Sequence, residues 1–169
     1  MGDAINARKD RGGCGVRWVL IVLAMMGVAA STLALREHYR TDSSPCSINE
    51  RWDCGVVNHS PYAVIGGVFS KPTFDDRPHS PIGQIPVAVV GIVGYIFLGL
   101  LAVKKAYRLL LLASLAALAF SLYLAHIEAR VLGVWCVYCA ISLGVISLIA
   151  LVDLGQVSVN WLRRTKTNP

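Results

Sequence analysis

Charge is scarce in this chain. Only 15% of its 169 residues are Asp, Glu, Lys or Arg, aromatic residues make up 8%, and no internal repeat or low-complexity tract interrupts it. With 55% apolar content and a mean hydropathy of +0.57, that scarcity excludes a disordered chain, a coiled coil, a collagen-like rod and an ordinary soluble domain. Cysteine is also sparse. Five in 169 residues are too few for the disulfide scaffold of a small secreted domain, and their spacing is too pointed for core filler.

What is present is apolar sequence in long runs. A hydrocarbon core about 30 Å thick needs about 20 residues of helix. Four runs free of Lys, Arg, Asp and Glu approach or reach that length, at 18–35, 85–103, 109–127 and 132–152. Gly27, Gly91, Gly94, Gly99 and Gly144, with Ala113, Ser114, Ala116 and Ala117, supply the small residues that let membrane helices approach closely. The expected fold is an all-α membrane protein, a bundle of four transmembrane helices with an extracytoplasmic loop or lid between the first and second. The first run has an alternative reading as a cleaved signal peptide, since basic residues precede it and small ones end it, although it is longer than a usual signal core.

Basic residues set the orientation. Arg8, Lys9, Arg11 and Arg17 in the N-terminal arm, Lys104, Lys105 and Arg108 between the second and third runs, and Arg163, Arg164 and Lys166 in the tail put ten on one side. The other side carries six (Arg36, Arg40, Arg51, Lys71, Arg77, Arg130) against seven acids (Glu37, Asp42, Glu50, Asp53, Asp75, Asp76, Glu128). Both termini are therefore expected in the cytoplasm, and the net charge of +6 reads as a topology signal that calls for no nucleic acid. The expected layout is a cytoplasmic arm at 1–17, one membrane domain at 18–155 with an exported loop at 36–84, and a cytoplasmic tail at 156–169. The loop is rich in turn formers, such as Ser43-Ser44-Pro45 and Asn58-His59-Ser60-Pro61, and is expected to cover the outer mouth of the bundle, with a short helix near 48–57.

Cys136 and Cys139 form a C-x-x-C at the outer beginning of the fourth run. Three residues apart on a helix, the two sulfurs share a face and can close a disulfide, and a helix N-terminus favours a thiolate. Alone, such a motif serves redox chemistry and zinc binding equally well. Cys46 and Cys54 form a second pair in the exported loop, on the same side of the membrane by the charge count. An oxidising compartment disfavours free thiolate ligands, no His-rich partner segment accompanies the cysteines, and two pairs at one face can exchange disulfides as a relay. No metal is expected, a four-cysteine structural metal site in a non-enzymatic module being the competing reading. Cys14, in the cytoplasmic arm, stands apart.

A dithiol relay at a membrane face needs a lipid-soluble electron acceptor, and a quinone fits. Its pocket is expected between helix ends near Cys139, with polar candidates Asn58, His59, Ser60, Tyr62, His79, Ser80, Gln84, Tyr123, His126, Trp135 and Tyr138, several of which also suit plain interface anchoring.

The sequence resembles the vitamin K epoxide reductase family, in particular its bacterial quinone-reducing members. The resemblance rests on Cys46-Ser-Ile-Asn-Glu-Arg-Trp-Asp-Cys54, on Gly55-Val-Val-Asn-His-Ser60-Pro-Tyr-Ala63, on Ser121-Leu-Tyr-Leu-Ala125 and on Trp135-Cys136-Val-Tyr-Cys139. It implies that Cys139 attacks the quinone, that Cys136 is its resolving partner, that Cys54 exchanges with Cys136, that Cys46 meets a thioredoxin-fold protein, and that Ser60 lies beside the quinone. It implies, too, that His79 or Ser80 stands near the family's quinone-bonding position. Many bacterial members carry a fused thioredoxin-like domain, so the partner expected for this chain is a separate protein. Leu143 stands where vertebrate members have an aromatic residue. The resulting expectation is a monomeric, multi-pass thiol:quinone oxidoreductase of a bacterial inner membrane that supports disulfide formation in exported proteins. A quinone or epoxide reductase of the endoplasmic reticulum would carry the same charge pattern.

Overall fold

Long apolar runs with few helix breakers fold as helices, and in lipid that is the way a segment satisfies every backbone hydrogen bond internally. The computed structural model describes residues 2–42, 44–69 and 83–166, as backbone alone over 2–14 and 160–166. Helix α1 spans Gly2–His38, α4 Val87–Val103, α5 Tyr107–Ile127 and α6 Val137–Lys166. Two five-residue helices lie between α1 and α4, α2 at Cys54–Asn58 and α3 at Ile65–Phe69, joined through a 3-10 turn at Pro61–Ala63. Among the described residues there is no strand, only isolated bridges.

Three stretches are long and apolar enough to cross a membrane, Gly15–His38, Tyr107–Leu132 and Val137–Val159, with mean hydropathies of 2.2, 2.0 and 2.3. Helix α4 is apolar but shorter, its 17 residues extending about 26 Å. The architecture fits a helical membrane bundle. Large apolar side chains such as Met25, Val93, Leu112 and Leu151 face outward, as lipid-facing positions do, while Leu20, Leu98, Leu110, Ile146 and Ile149 pack at the centre. Helix α1 packs along α4 and α6, and α5 along α6. The ring of Tyr95 occupies the space where Gly27 has no side chain, so a β-carbon there would overlap it. From that position the Tyr95 hydroxyl donates to the Ser142 carbonyl at 2.8 Å, tying α4 to α6.

Several boundaries differ from the sequence reading, each for a local reason. Helix α4 begins at Val87 because Pro86 holds an extended backbone before it (φ −61°, ψ 137°). The helix that carries the C-x-x-C begins at Val137, five residues later than the apolar run. Helix α5 ends in one π-helical turn at Glu128–Leu132, which Gly133 stops in the left-handed conformation (φ 67°). The loop helix expected near 48–57 starts only at Cys54, since Asp53 caps it and Asn49 folds the preceding residues into a turn by accepting from the amides of Arg51 and Trp52.

Candidate redox site

The outer ends of these helices meet through two short stretches of extended chain. The Trp135 amide donates to the Arg51 carbonyl at 2.8 Å, and the Asp53 amide donates to the Trp135 carbonyl at 3.1 Å. This bridge sets Cys54 and Cys136, each the next residue along, side by side. Cys54 is the first residue of α2, and the Cys136 carbonyl accepts the first hydrogen bond of α6 from Ala140. Both are fully buried and share one apolar cluster with Cys46 and Val57, against which Cys139 packs. Cys46 and Cys54 are joined as a disulfide with a Cα separation of 5.8 Å, within the usual range, while Cys136 and Cys139 are free thiols.

Asp53 organises the loop pair. Its Oδ1 accepts from the Gly55 and Val56 amides at 2.8 and 3.2 Å and from the Ser47 hydroxyl at 2.8 Å. The Ser47 bond, with help from the two amides, holds this carboxyl below the usual aspartate value. The cap is therefore complete above the unfolded value of about 3.9 and is lost as pH falls through the lower folded value. Replacing Asp53 with Ala should remove about 1 kcal/mol of cap energy, read as roughly fivefold faster hydrogen exchange at the Gly55 and Val56 amides.

The second pair sits in a more polar setting. Asn58 Nδ2 donates to the Cys54 carbonyl at 2.8 Å and reaches the Cys136 sulfur at 3.5 Å. The Cys136 amide donates to Glu128 Oε2 at 3.1 Å. Cys139, three residues on, packs against the same cluster, so both thiols of the motif stand at the outer end of α6.

Cys139 turns toward a cavity of about 370 Å³ between the helices, a size typical of small-molecule sites. Its walls are mainly apolar, from Ala30, Ala34, Leu98, Phe120, Leu124 and Ile146. Its polar groups are few: Ser31, His38, Asn58, Ser60, Tyr62, Tyr95, Ser121, Glu128, Tyr138 and Ser142. Of the residues expected from sequence, Asn58, Ser60, Tyr62, Trp135, Tyr138 and Cys139 line it. Tyr123 lies apart, its hydroxyl donating to the Val68 carbonyl at 3.2 Å, and His59 sets its ring nitrogens against the Gly55 and Arg40 carbonyls at 2.8 and 2.9 Å. His79 and Ser80 lie outside the described residues. An apolar chamber with one thiol and scattered hydroxyl and amide groups suits a flat, lipid-soluble ring bearing oxygen atoms. The pattern of the Vitamin K epoxide reductase family matches residues 18–154, most of the chain.

The chain belongs to that family.

Members of the Vitamin K epoxide reductase family are oxidoreductases that reduce quinones or vitamin K epoxide and work with thioredoxin-like partners. Membership, together with the apolar helices, makes this chain a membrane oxidoreductase, and it carries a Cys46–Cys54 disulfide. A comparison with curated proteins finds no match. Ser31, His38, Tyr95, Ser121, Glu128 and Ser142 line the cavity but escaped the sequence reading, and two of them bear on the site most directly. Glu128 counts there only as one acid of an outer turn, yet it is buried. His38 falls just past the first apolar run, and its Nδ1 lies 2.5 Å from the Asn58 carbonyl. A carbonyl only accepts, so Nδ1 carries the proton.

Proposed function

We propose that this family member is a four-span thiol:quinone oxidoreductase whose 36–84 segment forms a lid over the outer mouth, with both termini in the cytoplasm of a bacterial cell. Electrons enter from a thioredoxin-fold dithiol. One of its thiolates attacks Cys46, breaking the Cys46–Cys54 bond and freeing the Cys54 thiolate, and the partner leaves as a disulfide. Cys54 then attacks Cys136 of an oxidised Cys136–Cys139 pair and releases Cys139 as thiolate. Cys46 resolves the Cys54–Cys136 bond, which restores the loop disulfide and leaves the C-x-x-C reduced. When Cys136 and Cys139 close again, two electrons pass to a quinone in the cavity.

One observation carries this reading. Cys136 is buried in one cluster with Cys54, and Cys139 lines the cavity, so the two sulfurs of one motif address the two sides of the relay. The bonded state of Cys46 and Cys54 supports the redox reading over a four-cysteine metal site, which needs four free thiolates. The test is a thiol count by alkylation and mass shift on pre-reduced protein in membranes, before and after adding a soluble menaquinone or ubiquinone analogue. The expected result is the loss of four thiols with Cys14 alone remaining. Persistence of all five would overturn the assignment.

Ser60 lines the cavity with its hydroxyl donating to the Val57 carbonyl at 2.7 Å. Placed there, it serves as the hydroxyl beside the quinone. Replacing Ser60 with Ala should slow quinone reduction about tenfold without changing the resting redox state of the cysteines, and a wild-type rate would remove it from the site.

A further inference from the structure

Closing a C-x-x-C disulfide against a quinone moves protons as well as electrons. Asn58 Nδ2 approaches the Cys136 sulfur at 3.5 Å and favours the thiolate there, so the proton left in the reduced pair belongs on Cys139, the sulfur that lines the cavity. It has to depart as the S–S bond forms. Glu128 stands where it can be received. Glu128 is 4% exposed, lines the cavity together with Cys139 and accepts from the Cys136 amide at 3.1 Å. It comes from the π-helical turn that closes α5, and such turns reorient a side chain that a regular helix would direct elsewhere. A buried carboxyl retained among apolar walls, bonded to one half of a redox pair and lining the same cavity as the other, is costly unless it has a use.

The geometry points to Glu128 as the acid–base catalyst of the Cys136–Cys139 pair, taking the Cys139 proton and delivering it to a quinone oxygen. This inference rests on the thiol:quinone reading above. The balance is as follows. The Cys136 thiolate and the Cys139 thiol lose one proton and two electrons as the S–H bond breaks and the S–S bond forms. The Glu128 carboxylate accepts that proton and returns to carboxylate on passing it to the quinone. The second proton, released when Cys136 ionised, comes from water at the outer mouth, and the product is a quinol. The titratable groups facing the Glu128 carboxyl are Cys136 and Cys139 of the α6 end. The others that line the cavity are His38 of α1, Tyr62 of the 3-10 turn, Tyr95 of α4 and Tyr138 of α6. Among the described residues, none of these others hydrogen-bonds either sulfur of the motif.

Glu128→Gln separates the chemical role from a structural one, because the amide oxygen still accepts from the Cys136 amide while the proton site is gone. Two readouts decide. First, quinone reduction by pre-reduced protein should fall at least ~10²-fold in the Gln variant and be partly restored in Glu128→Asp, with thioredoxin exchange at Cys46–Cys54 unchanged. Second, without any quinone, the pH profile of iodoacetamide alkylation at Cys139 should lose one inflection in the Gln variant, because one member of a coupled set of titrations has been deleted. A Gln variant within threefold of wild type, or one that is slow but keeps the wild-type alkylation profile, would overturn the inference. If wild-type protein fails to reduce quinone at all, the functional reading falls, and the alkylation profile still decides whether Glu128 shares a proton with the pair.

Discussion

Replacing Cys139 with Ala should reduce quinone turnover to background, a loss of at least ~10³-fold, while leaving exchange at the loop pair intact. The expectation follows from where the four sulfurs stand. Cys139 is the cysteine that lines the cavity, whereas Cys46, Cys54 and Cys136 are buried together behind it. Without Cys139 no disulfide can form within the motif, so the two-electron step toward the cavity has no product. The thioredoxin-fold partner still finds the Cys46–Cys54 bond, and its mixed disulfide with the loop should remain trappable by acid quench and non-reducing electrophoresis. The measurement is the absorbance change of a quinone analogue, driven by reduced partner. Wild-type turnover in this variant would sink the electron path, since no other described cysteine opens on the cavity.

The fold was largely legible, and the reason is the solvent. A bilayer demands about 20 apolar residues per crossing, so runs without charge report helices wherever they occur. Three such runs correspond to helices long enough to cross, and the run at 85–103 to α4, which is shorter. Boundaries were not legible where a local device overrides hydropathy. The residues at 132–136 are apolar, but the π-helical turn, the left-handed Gly133 and the pairing of Trp135 with the chain at 51–53 hold them out of α6. A glycine three residues before the C-x-x-C was the visible hint.

The site divides in the same way. Cysteine spacing and the charge count put two pairs on one face, because cysteines carry their chemistry in their identity. Which sulfur faces the cavity depends on the phase at which α6 starts, and that phase is set by the bridge between Trp135 and Arg51. Glu128 shows the limit most clearly. In sequence it is an acid beside a basic residue in a short turn, the composition of a solvated loop, and its burial arises only when the π-helical turn brings it under the Cys136 amide. Asn58 was legible as a polar group near the site, but its amide is committed to the Cys54 carbonyl and the Cys136 sulfur, which makes it a thiolate-stabilising group.

Cys54 offers the second large effect, because it separates entry of electrons from their exit. Cys54→Ala should abolish quinone reduction driven by a thioredoxin-fold dithiol, again by at least ~10³-fold, yet leave reduction driven by a small membrane-permeable dithiol within a few-fold of wild type. The asymmetry arises from burial. Cys54 and Cys136 are both fully inaccessible and lie in the same cluster, so a folded partner reaches Cys136 only through the loop pair, whereas a small dithiol can enter by the cavity and meet Cys139. Cys46 in this variant is left as an unpaired thiol, so the loop holds no disulfide for the reduced partner to attack, and no mixed disulfide with that partner should form. Loss of partner-driven turnover without a trapped adduct, alongside normal turnover driven by the small dithiol, is the expected result. If both electron sources fail equally, Cys54 is holding the loop in place instead of passing electrons. If both persist, the partner donates directly to the C-x-x-C and the loop pair is a static bridge.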